Sequence, residues 1–196
     1  RMCFNKSGTC AFIATDIVGD RGGGCRAPHL LAQELSRMGV EVTVFAGLAD
    51  YAGGDDAPAE WETVLPFLKR GCRWGIPTRC LAWQVVRSVG KKHPDLVIAC
   101  GTTGLAYHLL ASRVASRLLV WEFTNAEMGN KFVDNRTVGI LQRAKGVLSP
   151  SKAVDANVRE NYGYTGPIAR LPFWIEAGQP SSTQGGDAHA GADFIY

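Results

Sequence analysis

Three consecutive glycines, Gly22, Gly23 and Gly24, stand where an apolar run gives way to a helical pattern. With no Cβ atoms in the way, backbone N–H groups at such a turn can close on an anion, and a helix starting there adds partial positive charge. The chemistry offered is phosphate binding. On these residues alone, a tight turn that binds nothing is an equal alternative. Asp55-Asp56 has the residue types for acid–base work but lies beside Gly53-Gly54 and reads as a solvated loop tip. His29, His93, His108 and His189 show no metal-ligand spacing, and no D-x-D triplet offers paired carboxylates, so no metal is expected. Cys3, Cys10, Cys25, Cys72, Cys80 and Cys100 form no C-x-x-C pair. Cys10 and Cys100 fall in runs that read as buried strands, and free thiols in a reducing cytosol are expected rather than a disulfide framework.

The glycine loop excludes two kinds of nucleotide site. A P-loop places a Lys-Ser/Thr pair after its glycines, whereas Gly24 is followed by Cys25-Arg26. A dinucleotide fold wants G-x-G-x-x-G and an acid ending the second strand; here Gly19 to Gly24 reads G-D-R-G-G-G and the second strand ends Phe45-Ala46-Gly47. A net charge of +3 is too mild to imply nucleic acid. With 196 residues, 46% hydrophobic and 20% charged, the chain can bury one sizeable core, and no apolar run is long enough to span a bilayer.

The elements that must position the loop follow a regular alternation. Cys10 to Ala14 reads as a buried strand, residues 16–24 as loop, and a helix follows with Pro28 in its first turn, Leu31, Leu35 and Met38 on one stripe, and Gly39 as its stop. A second strand covers residues 40–46, and residues 47–62 read as loop. Residues 63–94 hold Lys69, Arg70, Arg73, Arg79, Arg87, Lys91 and Lys92 with Phe67, Trp74 and Trp83 interleaved; past Thr63 they contain no acid. A helix over 78–89 puts Leu81, Val85 and Val89 on one stripe. Its basic face is either solvated or a peripheral membrane contact, the solvated face being favoured. Strands at Leu96–Cys100 and 118–123 flank a helix opened by Gly101-Thr102-Thr103-Gly104, with Leu105, Leu109 and Val114 inward. Residues 124–135 read as polar loop, 136–144 as a helix with Val138 and Leu141, 147–149 as a strand, and 151–162 as a helix capped by Ser151. Residues 168–172 form a last strand, 179–192 a Gly/Ser/Ala-rich linker, and Asp193 to Tyr196 the start of another strand. This is a doubly wound α/β domain with a mainly parallel sheet, whose ligands bind outside the strand C-termini.

The order of motifs resembles a known family. Gly22-Gly23-Gly24 followed by Leu31-Ala32-Gln33-Glu34-Leu35 and Met38-Gly39-Val40-Glu41-Val42-Thr43-Val44-Phe45 resembles the opening of a family 4 retaining glycosyltransferase of the GT-B fold. His93-Pro94-Asp95-Leu96-Val97 resembles the family's "hPDvv" segment, and Ala144-Lys145-Gly146-Val147-Leu148-Ser149-Pro150-Ser151 its "Ad.vi.vS" segment. Leu171-Pro172-Phe173-Trp174-Ile175-Glu176 stands where the family leaves its N-terminal domain with "iPNGVD", although Phe173-Trp174 replaces Asn-Gly. Where the family's fourth strand commonly ends in a His near the sugar, this chain has Glu122, or Trp121 under a one-residue shift.

The resemblance implies a Rossmann-like N-terminal half of a GT-B architecture over residues 1–176, with 177–196 as linker and first strand of a C-terminal domain that would hold most of the donor. It implies a hexosyltransferase-type enzyme that moves a sugar from a nucleoside-diphosphate sugar to a saccharide or lipid-linked acceptor, with retention, without a metal or other cofactor, in the cytoplasm or at the inner face of the membrane. Gly22, Gly23 and Gly24 would face the donor diphosphate; Gly101, Thr102, Thr103 and Asn125 would line the acceptor; Glu122 is the candidate catalytic carboxylate, a strand-end acid without a role being its alternative. This half is expected to be inactive by itself. The rivals are a nucleotide-sugar epimerase of the same architecture and a non-catalytic binding or membrane-docking domain.

Overall fold

A computed structural model describes residues 9–19, 23–50, 62–64, 76–101, 104–123 and 139–172. Its strands are β1 (Cys10–Gly19), β2 (Glu41–Asp50), β3 (Glu62–Val64), β4 (Leu96–Cys100), β5 (Leu118–Trp121), β6 (Gly146–Ser149) and β7 (Ile168–Arg170). Between them stand α1 (Gly23–Arg37), α2 (Ile76–Lys92), α3 (Gly104–Leu110), a 3-10 turn (Ala115–Arg117) and α4 (Lys152–Glu160). One sheet runs in the order β3-β2-β1-β4-β5-β6-β7, and every ladder in it is parallel. The fold is therefore a Rossmann-like α/β domain.

Sequence alternation builds the two layers. In β1, Phe12 and Ala14 face a core shared with Leu81, Val85 and Val89 of α2, Leu105 and Leu109 of α3, and Val154 and Val158 of α4. Ala11 and Ile13 face the opposite core, where Ala27, Leu31, Ala32 and Leu35 of α1 pack with Val44, Ile98 and Trp121. Each fully buried leucine adds roughly 1.5–3 kcal/mol, enough to fix which face each helix covers. The chain grows outward from β1 in both directions, so right-handed crossovers put α1 on one face and α2 and α3 on the other. Between β1 and β4 the connections leave to opposite faces, which opens a crevice over the strand C-termini.

The boundaries differ from the sequence expectation in places, each for a tertiary reason. Residues 16–19 continue β1 instead of forming loop, because Ile17, Val18 and Gly19 pair with Leu48, Ala49 and Asp50. The same ladder carries β2 through residues 47–50. β3, which local pattern does not announce, is held by pairing Glu62, Thr63 and Val64 with Val44, Phe45 and Ala46. α1 begins at Gly23, so Pro28 is its sixth residue and lies beyond the first turn. Proline cannot donate to the carbonyl four residues back, which is that of Gly24, a residue with no side chain to crowd the ring. Gly39 does end α1, with φ 81° and the Val40 N–H closing back on the Leu35 carbonyl at 3.0 Å. β5 stops at Trp121, Val114 lies beyond α3 rather than in it, and α4 ends at Glu160. Residues 139–141 are helical and turn at Gln142; the earlier part of that expected helix lies outside the described residues. So do Asp55-Asp56, Phe67, Lys69, Arg70, Arg73, Trp74 and the linker and final strand expected over 177–196.

Candidate functional site

Parallel pairing brings the C-terminal ends of β1, β4, β5 and β6 to one edge. Gly101 follows β4 with φ 77°, a left-handed turn that glycine adopts without strain. Its N–H donates to the Trp121 carbonyl at 2.7 Å and ties the end of β4 to that of β5. Glu122 is fully buried at the end of β5. Its N–H donates to the Leu148 carbonyl at 2.9 Å, and its Oε1 accepts from the Phe123 N–H at 2.8 Å. The Trp121 and Phe123 rings meet edge to face at 5.0 Å on either side of this carboxylate in the chain. Glu122 is thus tied to β6 through its backbone, and its carboxylate is oriented by the Phe123 N–H at the edge.

Asp16 adds a second carboxylate that sequence reasoning assigned to loop. It is 6% exposed near the C-terminal end of β1, beside Thr15, which is also buried. Burial, with the Asp16 charge nearby, pushes the Cys100 thiol far above its ordinary range, so Cys100 at the end of β4 stays a neutral thiol. The β-branched pair Ile17-Val18 directly after Asp16 was the available signal that the strand continues through it. Cys10, Cys80 and Cys100 are free cysteines.

At the end of β6, Ser149 is fully buried and its Oγ donates to the Ser151 carbonyl at 2.8 Å. Ser151 caps α4 as expected, its Oγ accepting from the Val154 N–H at 3.3 Å. The Ser149 hydroxyl and the Arg170 guanidinium, an ion-pair partner, hold the Asp155 carboxyl below the usual carboxylate range. Because the folded value is depressed, this stabilisation is present above the unfolded value of about 4 and lost as pH falls through the folded one. Asp155→Asn should therefore lower the denaturation midpoint above neutrality by a constant amount and flatten the acid limb of its pH curve, where the two proteins converge.

At α1, Gly23 and Gly24 are the first helical residues, on the connection that leaves the C-terminal end of β1. The first N–H groups of any helix lack intrahelical acceptors and carry the positive end of its dipole. Of the expected site residues, the fold brings Gly101 and Glu122 together on the edge that α1 leaves from. Gly22, Thr102, Thr103 and Asn125 lie outside the described residues. Among the described residues no group of three or more His, Cys, Asp and Glu is placed to hold a metal ion.

The basic segment divides between the core and the surface. Leu81, Val85 and Val89 are buried as the stripe requires, while Trp83 is 63% exposed with the Arg87 guanidinium 5.3 Å from its ring. Lys92 pairs with Glu41 at 3.1 Å. Among the described residues no helix is long and apolar enough to cross a membrane.

A Rossmann-like sheet whose switch-point edge collects a glycine-started helix, a left-handed glycine and a buried carboxylate has the architecture of a doubly wound α/β domain, in which ligands bind at that edge. The sequence model of Glycosyltransferase Family 4 matches residues 21–177, from the glycine loop past β7. The chain belongs to that family, and its function is of the glycosyltransferase type. No curated protein matches the chain.

Proposed function

We propose that this domain is the acceptor-side half of a retaining glycosyltransferase that moves a sugar from a nucleoside-diphosphate sugar to an acceptor hydroxyl. The observation that carries the reading is the family match across residues 21–177, which includes the glycine loop and the C-terminal ends of β2 to β7. In this reading the N–H groups at Gly22, Gly23 and Gly24 face the donor diphosphate and stabilise charge as the leaving group departs. The acceptor, a saccharide or a lipid-linked hydroxyl, lies over the ends of β4 and β5 against Gly101, Thr102, Thr103 and Asn125. Glu122 accepts a hydrogen bond from a sugar hydroxyl there and orients it. A C-terminal domain supplies most donor contacts, and its closure onto this edge excludes water and suppresses hydrolysis. No metal is required, and the half described here does not turn over alone.

Product analysis with a sugar-labelled donor tests the reading in the natural gene product. The label should move to the acceptor with release of a nucleoside diphosphate. Label that stays on the nucleotide in an epimerised sugar would overturn it in favour of an epimerase.

A further inference from the structure

The opposite edge of the sheet carries a feature that the transfer chemistry does not use. A cleft of about 450 Å³ lies between the end of α2 and the turn that leads from α3 into β5, with Gly90, His93, Arg113, Ser116 and Arg117 on its walls. Gly90 makes room for one of these groups: a Cβ there would stand 2.9 Å from an Arg113 guanidinium nitrogen, so the guanidinium lies against the α2 backbone. His93 has φ 49°, and its N–H closes on the Val89 carbonyl at 3.0 Å. A glycine would hold that left-handed turn at less cost; histidine puts an imidazole on the cleft wall instead.

Charge on this edge is unbalanced. No acid lines the cleft. Neither Arg113 nor Arg117 forms an ion pair with any described residue. Two acids on the same edge of the sheet have other partners: Glu41 pairs with Lys92 at 3.1 Å, and Asp95 Oδ2 accepts from the Cys10 N–H at 3.0 Å. The C-terminal dipole of α2 opposes an anion here by about half a charge, which two whole guanidinium charges outweigh. Planar guanidinium forks match the oxygens of a phosphate, a hydroxyl and an imidazole add further donors, and the volume suits one phosphate with a small organic group.

We propose that this cleft is a second binding site, on the edge opposite the candidate donor loop, for a phosphate monoester held by Arg113, Arg117, His93 and Ser116. β4 separates the two edges, so over its five residues they stand roughly 16 Å apart. The proposal does not depend on the transferase reading, since its readout is binding without donor or acceptor. The monoester is either a soluble metabolite or the headgroup of a lipid; in the second case the exposed Arg87 and Trp83, further along α2, would meet the same membrane surface.

Two titrations of the intact protein test it. One uses inorganic phosphate and glycerol 3-phosphate by calorimetry at fixed ionic strength. The other uses sedimentation with phosphatidylcholine vesicles, with and without phosphatidic acid. Arg113→Ala/Arg117→Ala should weaken binding roughly tenfold or more, as loss of two charge-assisted donors implies. Arg37→Ala/Lys152→Ala, which removes the same charge elsewhere, should leave it unchanged. Arg113→Lys/Arg117→Lys keeps the charge without the forks, should lose several-fold, and serves if the alanine pair does not fold. Loss confined to the soluble probes assigns a metabolite, and loss confined to vesicles assigns a lipid. No saturable binding to either probe, or equal effects in the cleft and control variants, overturns the site.

Discussion

Trp121→Ala is expected to destabilise the domain by about 3–5 kcal/mol, the range for emptying a large buried aromatic site. Trp121 ends β5 with no exposed surface, and its ring packs among the α1-side core residues Ile13, Ile98 and Leu148. The Phe123 ring meets the indole edge to face at 5.0 Å and would lose that partner as well. Removing it also frees the strand end that fixes Gly101 through its carbonyl at 2.7 Å and leads into Glu122. Denaturant unfolding reads the loss as a shift in midpoint at constant slope. Trp121→Phe, which keeps an aromatic ring in place, should lose less than half as much. A cost under about 1 kcal/mol for the alanine variant would mean that the edge does not depend on this packing.

The second large effect is on turnover. Gly23→Val should leave the domain folded, since valine in a first helical turn costs below about 1 kcal/mol. In the complete transferase it should lower kcat roughly 100-fold, as loss of an anion-stabilising contact does elsewhere. A β-branched side chain at the start of α1 would hold the diphosphate off the N–H groups that have no intrahelical acceptor. Equal loss in kcat and kcat/KM places the contact in the transition state; a rise in KM alone places it in ground-state binding. Unchanged kinetics would remove the glycine loop from the site.

Much of this architecture is legible in the sequence, where local pattern and tertiary demand agree. Leu96–Cys100 is five apolar residues because both its faces are covered, and it forms β4 with those bounds. Leu31 and Leu35 mark the buried stripe of α1, Gly39 its end and Ser151 the start of α4, because caps and stops are decided within a few residues. The misread residues are those decided from far away. Asp16 interrupts an apolar run, yet it belongs to a strand because β2 pairs on both sides of it. Glu62–Val64 is a strand only because the β2 edge accepts it. The candidate site shows the same division. The edge itself, with Gly101 after the third expected strand, follows from alternating strands and helices, and the comparison with the family's fourth strand singles out Glu122. The burial of Asp16 and Ser149 depends on neighbours drawn from across the sheet, which no local window contains.

Amide hydrogen exchange on the natural protein, with and without a nucleoside-diphosphate sugar as the proposed donor, tests most directly where the chemistry sits. The N–H groups at the start of α1 have no intrahelical acceptor and exchange readily unless a ligand holds them. Bound donor should slow exchange at Gly23 and Gly24, with little change at the Gly101 and Phe123 amides, which already donate to the Trp121 carbonyl and the Glu122 carboxylate. Protection that leaves this edge unchanged would contradict the assignment of the donor site.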